Sequence, residues 1–199
     1  IVFGDWSSDV CSSDLSGRAE AADDDDTITI NLDVNSTISV TCTDTVTMNA
    51  IVGTGQSTMD NSNRATCTVV TNNSSGYKLE WEASSITMAS GGDTIAAYSP
   101  ASADTPENWS VASTDSEWGA HLGAASTTVD TGVWGSADSY AAGKWLNVYT
   151  DPFQIASRNS ETSQSGDSEY IHFGAEVGSS KWQPDGTYTV NVTITATTL

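Results

Sequence analysis

Basic residues are almost missing from this chain: six Lys and Arg stand against 26 Asp and Glu, for a net charge of −20 over 199 residues. A surface this acidic repels phosphate backbones and anionic headgroups, so nucleic acid and membrane insertion are excluded as partners. No apolar run reaches the roughly 18 residues that a spanning helix needs. Histidine is as scarce, with only His121 and His172. His-Glu-x-x-His, Cys-x-x-Cys and the EF-hand series are all absent, and so is the Gly-x-Ser-x-Gly elbow. Nucleophilic and metal-assisted catalysis therefore lack their parts, and the expectation is a protein that is not an enzyme. Helical periodicity is nearly absent too. Hydrophobic residues nonetheless make up 37% of the chain, enough to build a core.

What the chain does have is alternation with a period of two, the mark of a strand with one oily face and one wet face. Ile28, Ile30, Leu32 and Val34 share one parity, and Ile38, Val40, Cys42, Val46 and Met48 continue it. Tyr77, Leu79, Trp81 and Ala83 alternate with Lys78, Glu80 and Glu82. Ile171, Phe173, Ala175 and Val177 oppose Tyr170, His172 and Glu176, which places His172 on a solvated face. The last run sets Tyr188, Val190, Val192, Ile194 and Ala196 against a row of Thr and Asn. Turn residues separate the runs, notably Asn72-Asn73-Ser74-Ser75-Gly76 and Pro184-Asp185-Gly186. The fold expected is all-β: an antiparallel β-sandwich, immunoglobulin-like or jelly-roll-like, with long loops in the middle third.

The segment from Asp5 to Leu15 resembles, residue for residue, the translation of a short-read sequencing adapter. Foreign segments are set apart from fold reasoning. Ala19-Glu20-Ala21-Ala22 has the small-x-small form of a signal-peptidase site. Residues 1–22 are accordingly read as artefact or leader remnant, and 23–199 as a single secreted domain.

Thr71-Asn72-Asn73-Ser74-Ser75-Gly76-Tyr77-Lys78-Leu79, followed far downstream by the run Gly186 to Ala196, resembles secreted bacterial cell-surface β-sandwich domains of the pilin, adhesin or WxL kind. The resemblance implies an extracellular, non-enzymatic sandwich. Where WxL domains carry their signature this chain has Tyr77-Lys78-Leu79 and Ile194-Thr195-Ala196, a departure that leaves peptidoglycan binding of that kind unsupported.

Candidate sites follow from the residues that remain. Outside the adapter-like segment the cysteines are Cys42 and Cys67, both within strand-like runs. In an exported chain such a pair reads as a disulfide, the alternative being two buried thiols. The run Ile28, Ile30, Leu32 and Val34 belongs to a stretch long enough to leave its own domain and complete a neighbour's sheet. Strand exchange between copies of the chain, forming a surface fibre, pilus or coat, is the function expected. The alternative is a carbohydrate-binding or adhesive module. Trp109, Trp118, Trp134 and Trp145 would then offer flat rings to a cell-wall or environmental polysaccharide, against the competing reading that they pin loops onto the sandwich. No cofactor is expected. The acids Asp23 to Asp26, and the loop acids Asp130, Asp138 and Asp151, could supply oxygen ligands for calcium, although a solvated acidic surface is the plainer reading.

Overall fold

Alternating runs become strands where another strand completes the ladder, and the fold sorts them on that basis. The computed structural model describes residues 26–199, apart from the side chain of Asn61. Among the described residues it contains β1 (Ile38–Cys42), β2 (Gly55–Gln56), β3 (Arg64–Thr71), β4 (Tyr77–Ala83), β5 (Met88–Ser90), β6 (Asp93–Ala97) and β7 (Glu107–Asn108). There follow β8 (Ser116–Leu122), β9 (Lys144–Trp145), β10 (Phe153–Arg158), β11 (Asp167–Val177) and β12 (Val192–Thr198). The helical pieces are one 3-10 turn at Asn61–Asn63 and α1 (Thr131–Trp134), whose first turn is capped by Asp130. The protein is an all-β sandwich.

The larger sheet runs β1-β3-β11-β8-β6-β5, with β2 added on β11, and the smaller runs β10-β4-β12. The ladders are antiparallel except at β6 and β8, where Ala96 and Ala97 lie parallel to Glu117 and Trp118. That short parallel contact departs from the expected all-antiparallel pairing. It arises because the loop from Tyr98 to Asp115 carries the chain back to start β8 beside β6. A third ladder, β7 with β9, ties together two loops of the middle third.

Hydrophobic alternation in β3 and β4 sets the core. Ala65, Cys67 and Val69 point inward from β3, and Tyr77, Leu79, Trp81 and Ala83 from β4, all buried. Trp81 meets Trp134 edge-on at 5.5 Å between ring centroids and stacks on Phe153 at 6.5 Å. The turn at Asn72 to Gly76, expected as a hairpin connection, instead carries the chain from one sheet to the other, so β3 and β4 do not pair. Gly76 takes φ +83°, and a Cβ there would run into the Arg158 carbonyl, so the position needs glycine.

The chain divides into two units at Val34/Asn35. In the first, residues 26–34 form no strand, and Ile28, Ile30, Leu32 and Val34 are 80, 88, 85 and 78% exposed. The unbroken parity from Ile28 to Met48 therefore does not make one long strand. Only Ile38–Cys42 finds a ladder, against β3. Ile30 and Leu32 accordingly lie outside the core. The segment expected to be artefact or leader, residues 1–22, lies outside the described residues.

Candidate functional site

In the second unit, the sandwich is closed along most of its length but half-open along one side. β1 ends the larger sheet and β12 ends the smaller one, and the two come within 8 Å of each other without a hydrogen-bonded ladder between them among the described residues. The inward side chains of the neighbouring β3 and β4 are fully buried, whereas Ile38, Val40 and Cys42 of β1 and Val192, Ile194 and Ala196 of β12 are only half-buried. Past the end of β1 the chain runs on without a ladder, and Val46 and Met48 lean on the core without closing over it. Between this stretch and residues 188–194 opens a groove of about 350 Å³. Phe173 and Met88 form part of its floor, and Val46, Val190 and Val192 stand on its walls. Phe173 points inward from the centre of the larger sheet yet is only half-buried, because nothing lies over it there.

Cys42 and Cys67 form the expected disulfide. They are direct cross-strand partners of β1 and β3, with Cα atoms 4.0 Å apart. The bridge fastens the open-edge strand β1 to the closed interior of the larger sheet. At the other end of β1, the Asn72 side chain accepts from the Thr37 amide at 2.7 Å and donates to the Asn35 carbonyl. The strand is thus held from both ends while its outer edge stays unpaired.

The four tryptophans considered for sugar stacking are all buried: Trp109 is 9% exposed, Trp134 3%, Trp118 1% and Trp145 not at all. Trp109 stacks on Tyr98 at 4.6 Å and Trp145 on Tyr140 at 4.9 Å, which makes a second, aromatic core under the loops of the middle third. Their indole nitrogens are spent internally, on the Glu176 carboxylate from Trp109 and on backbone carbonyls from the other three. Trp109 and Trp145 pin loops, Trp118 and Trp134 belong to the sandwich core, and none of the four is exposed as a stacking surface. Trp182, at 89% exposure, is the one tryptophan among the described residues that is.

His172 is also placed differently from its expected solvated face. It is 3% exposed, because the segment between β8 and β9 folds back over the outer face of β11 and brings Asp138 with it. His172 pairs across the ladder with His121, itself fully buried, and both reach for the same carboxylate. His121 Nε2 lies 3.2 Å from Asp138 Oδ1, while His172 Nε2 is 3.4 Å from Oδ2, close enough for charge to act but not aligned as a hydrogen bond. His121 Nδ1 faces the Lys144 carbonyl at 3.2 Å. The Lys144 carbonyl and the Asp138 carboxylate can both only accept, so a neutral ring donates to one of them at a time and only the imidazolium donates to both. Burial pushes His121 below its ordinary value and His172 down to about 4, both against the pull of Asp138. Burial also pushes Asp138 up, but the Ala124 amide and the two imidazoles outweigh it and hold it below its ordinary value.

A second buried polar group joins the two sheets. The Tyr77 hydroxyl donates to Asp167 and Glu169, at 3.1 and 3.2 Å, and Arg158 clamps Asp167 through both carboxylate oxygens. Burial raises both Glu169 and Tyr77. Neither imidazole is hydrogen-bonded to a Ser, Thr or Cys side chain among the described residues. No group of three or more His, Cys, Asp or Glu there is placed to hold a metal ion. Of the acids considered for calcium, Asp130 caps α1, Asp138 serves the histidines, Asp26 and Asp151 are exposed, and Asp23 to Asp25 lie outside the described residues. No helix among the described residues is long and apolar enough to cross a membrane.

The chain matches no protein-family model and none of the curated proteins.

Proposed function

We propose that the protein is a non-enzymatic, extracellular structural subunit of a surface fibre, pilus or coat, whose copies join by exchanging the strand that begins at Thr27. The observation that carries this reading is the exposure of Ile28, Ile30, Leu32 and Val34, at 78% or more for each, in a run whose alternate residues are Thr, Asn and Asp. Burying an aliphatic side chain of this size is worth roughly 1.5–3 kcal/mol, so four leave roughly 6–12 kcal/mol unrealised while the row stays in water. A strand added to another sheet collects that free energy together with a set of main-chain hydrogen bonds. The disulfide fits an oxidising, extracellular setting. The second reading, an adhesive module that binds polysaccharide, retains one aromatic candidate in the exposed ring of Trp182.

The test is deletion of residues 27–34, followed by light scattering and electron microscopy of wild type and variant. Polymers in the wild type that vanish in the variant are the expected result. A wild-type protein that stays monomeric at high concentration would rule out strand exchange and leave the adhesive reading.

A further inference from the structure

Resting on that reading, we infer where the exchanged strand docks: residues 27–34 of one copy add to the edge leading into β12 in a second copy, past the end of β1, with Ile28, Ile30, Leu32 and Val34 turned down into the groove between residues 42–48 and 188–194. Three observations meet there. The groove is apolar at its floor and open at its side, and the residues it leaves half-covered come from both sheets. What is missing is a strand with one apolar face, and the first unit carries such a row unused. The main chain along β12 is also oriented for it. Thr189 exchanges both of its hydrogen bonds with Ala89, and Asn191 accepts from the Ser84 amide, so odd-numbered residues face β4 and β5. The alternation of an antiparallel ladder then turns the N–H and C=O groups of Val190, Val192, Ile194 and Ala196 away from β4, and those of Val190 and Val192 open onto the groove while β1 approaches the rest of the strand. On β1, Thr43 donates to Thr66 in β3, so the groups turned outward there are those of Ile38, Val40 and Cys42. The two edges therefore expose separate, identifiable sets of amides.

β12 is the better acceptor because it ends a sheet of only three strands, and the groove wall is formed by the stretch leading into it. A strand docked on it would become the fourth of the smaller sheet and roof the side where Phe173, Val190 and Val192 now lie half-covered. The outward Thr27, Thr29, Asn31 and Asp33 would remain in water.

The experiment uses the full chain carrying Ile30→Asp and Leu32→Asp, which cannot donate, and a synthetic peptide of residues 26–35 with the native row. Amide hydrogen exchange is read with and without peptide. Expected is slowing by about tenfold or more at Val190 and Val192, with no change at Val40 and Cys42. A peptide bearing the two Asp substitutions should do nothing, and Val190→Asp in the acceptor should weaken peptide binding by about tenfold or more. Slowing confined to Val40 and Cys42 would overturn the assignment to β12 and leave strand exchange standing. The same follows if no amide is slowed while the wild-type chain still polymerises through residues 27–34. If the wild type neither polymerises nor responds to the peptide, strand exchange falls with it.

Discussion

The two histidines give the sharpest expectation for stability. Lowering the pH asks His172 to take a proton inside the protein, where burial holds its pKa near 4 against an ordinary 6.5. The unfolded chain binds that proton from about pH 6.5 downward, whereas the folded chain resists until about pH 4. Over this window the unfolded state holds more protons, so stability falls as the pH falls. The gap amounts to about 3 kcal/mol once both states are titrated, most of it already lost at pH 4.5. His121, lowered by burial, acts in the same direction. Asp138 adds its loss only below its ordinary 3.8, while Glu169, raised by burial, works the other way because acid relieves its charge. Urea unfolding followed by tryptophan fluorescence at pH 7.5 and 4.5 should show a loss of about 2–4 kcal/mol. His172→Gln, which removes the titrating ring, should flatten most of that loss. Equal stability at the two pH values, or a wild-type loss that His172→Gln leaves intact, would refute the reasoning.

Two further outcomes are expected. Replacing both Cys42 and Cys67 by Ala should lower stability by about 3.5 kcal/mol on the chain-entropy account of the closed loop; intact mass with and without reductant checks the bridge, and free thiols at both positions in the unreduced protein would exclude it. Leu79→Ala, at a site with no exposure, should cost about 2–5 kcal/mol in urea unfolding, while Val192→Ala, half-covered beside the groove, should cost about 1 kcal/mol or less in the unassociated chain; equal losses would mean that the β12 side is as closed as the centre.

Much of this fold can be read from parity. The run at Tyr77 to Ala83 is a strand, the run from Tyr188 to Ala196 becomes one from Val192 onward, Asn72 to Gly76 is a turn although not a hairpin, and Cys42 meets Cys67. Parity says which residues share a face but not whether another strand lies beside them. Ile28 to Val34 and Ile38 to Cys42 are therefore indistinguishable by pattern, although only the second is paired. Parity also fails where both faces of a sheet are covered. Glu169 and His172 lie on opposite faces of β11, and both are buried. Nothing in the local sequence announces that Asp138, more than thirty positions away, will fold over the outer face. The tryptophans fit the plainer of their two readings, burial as anchors: Ser- and Ala-rich loops have little else with which to hold themselves down. The groove has no signal of its own, since it is the gap left between two edges that the chain brings together from opposite ends.

The net charge of −20 bears on what such a gap can do. An apolar row and an apolar groove on one molecule invite indiscriminate association. Copies this acidic repel one another over roughly the 10 Å at which salt screens charge at 0.1 M, so side-by-side contacts between large surfaces are penalised. A single extended segment reaching into a groove escapes most of that penalty, because it brings little of its own molecule's surface within range. Among its own charges only Asp33 lies inside the row, on the parity that faces water. On the proposed strand exchange, that charge would narrow self-association to the one contact that collects apolar burial and main-chain hydrogen bonds together.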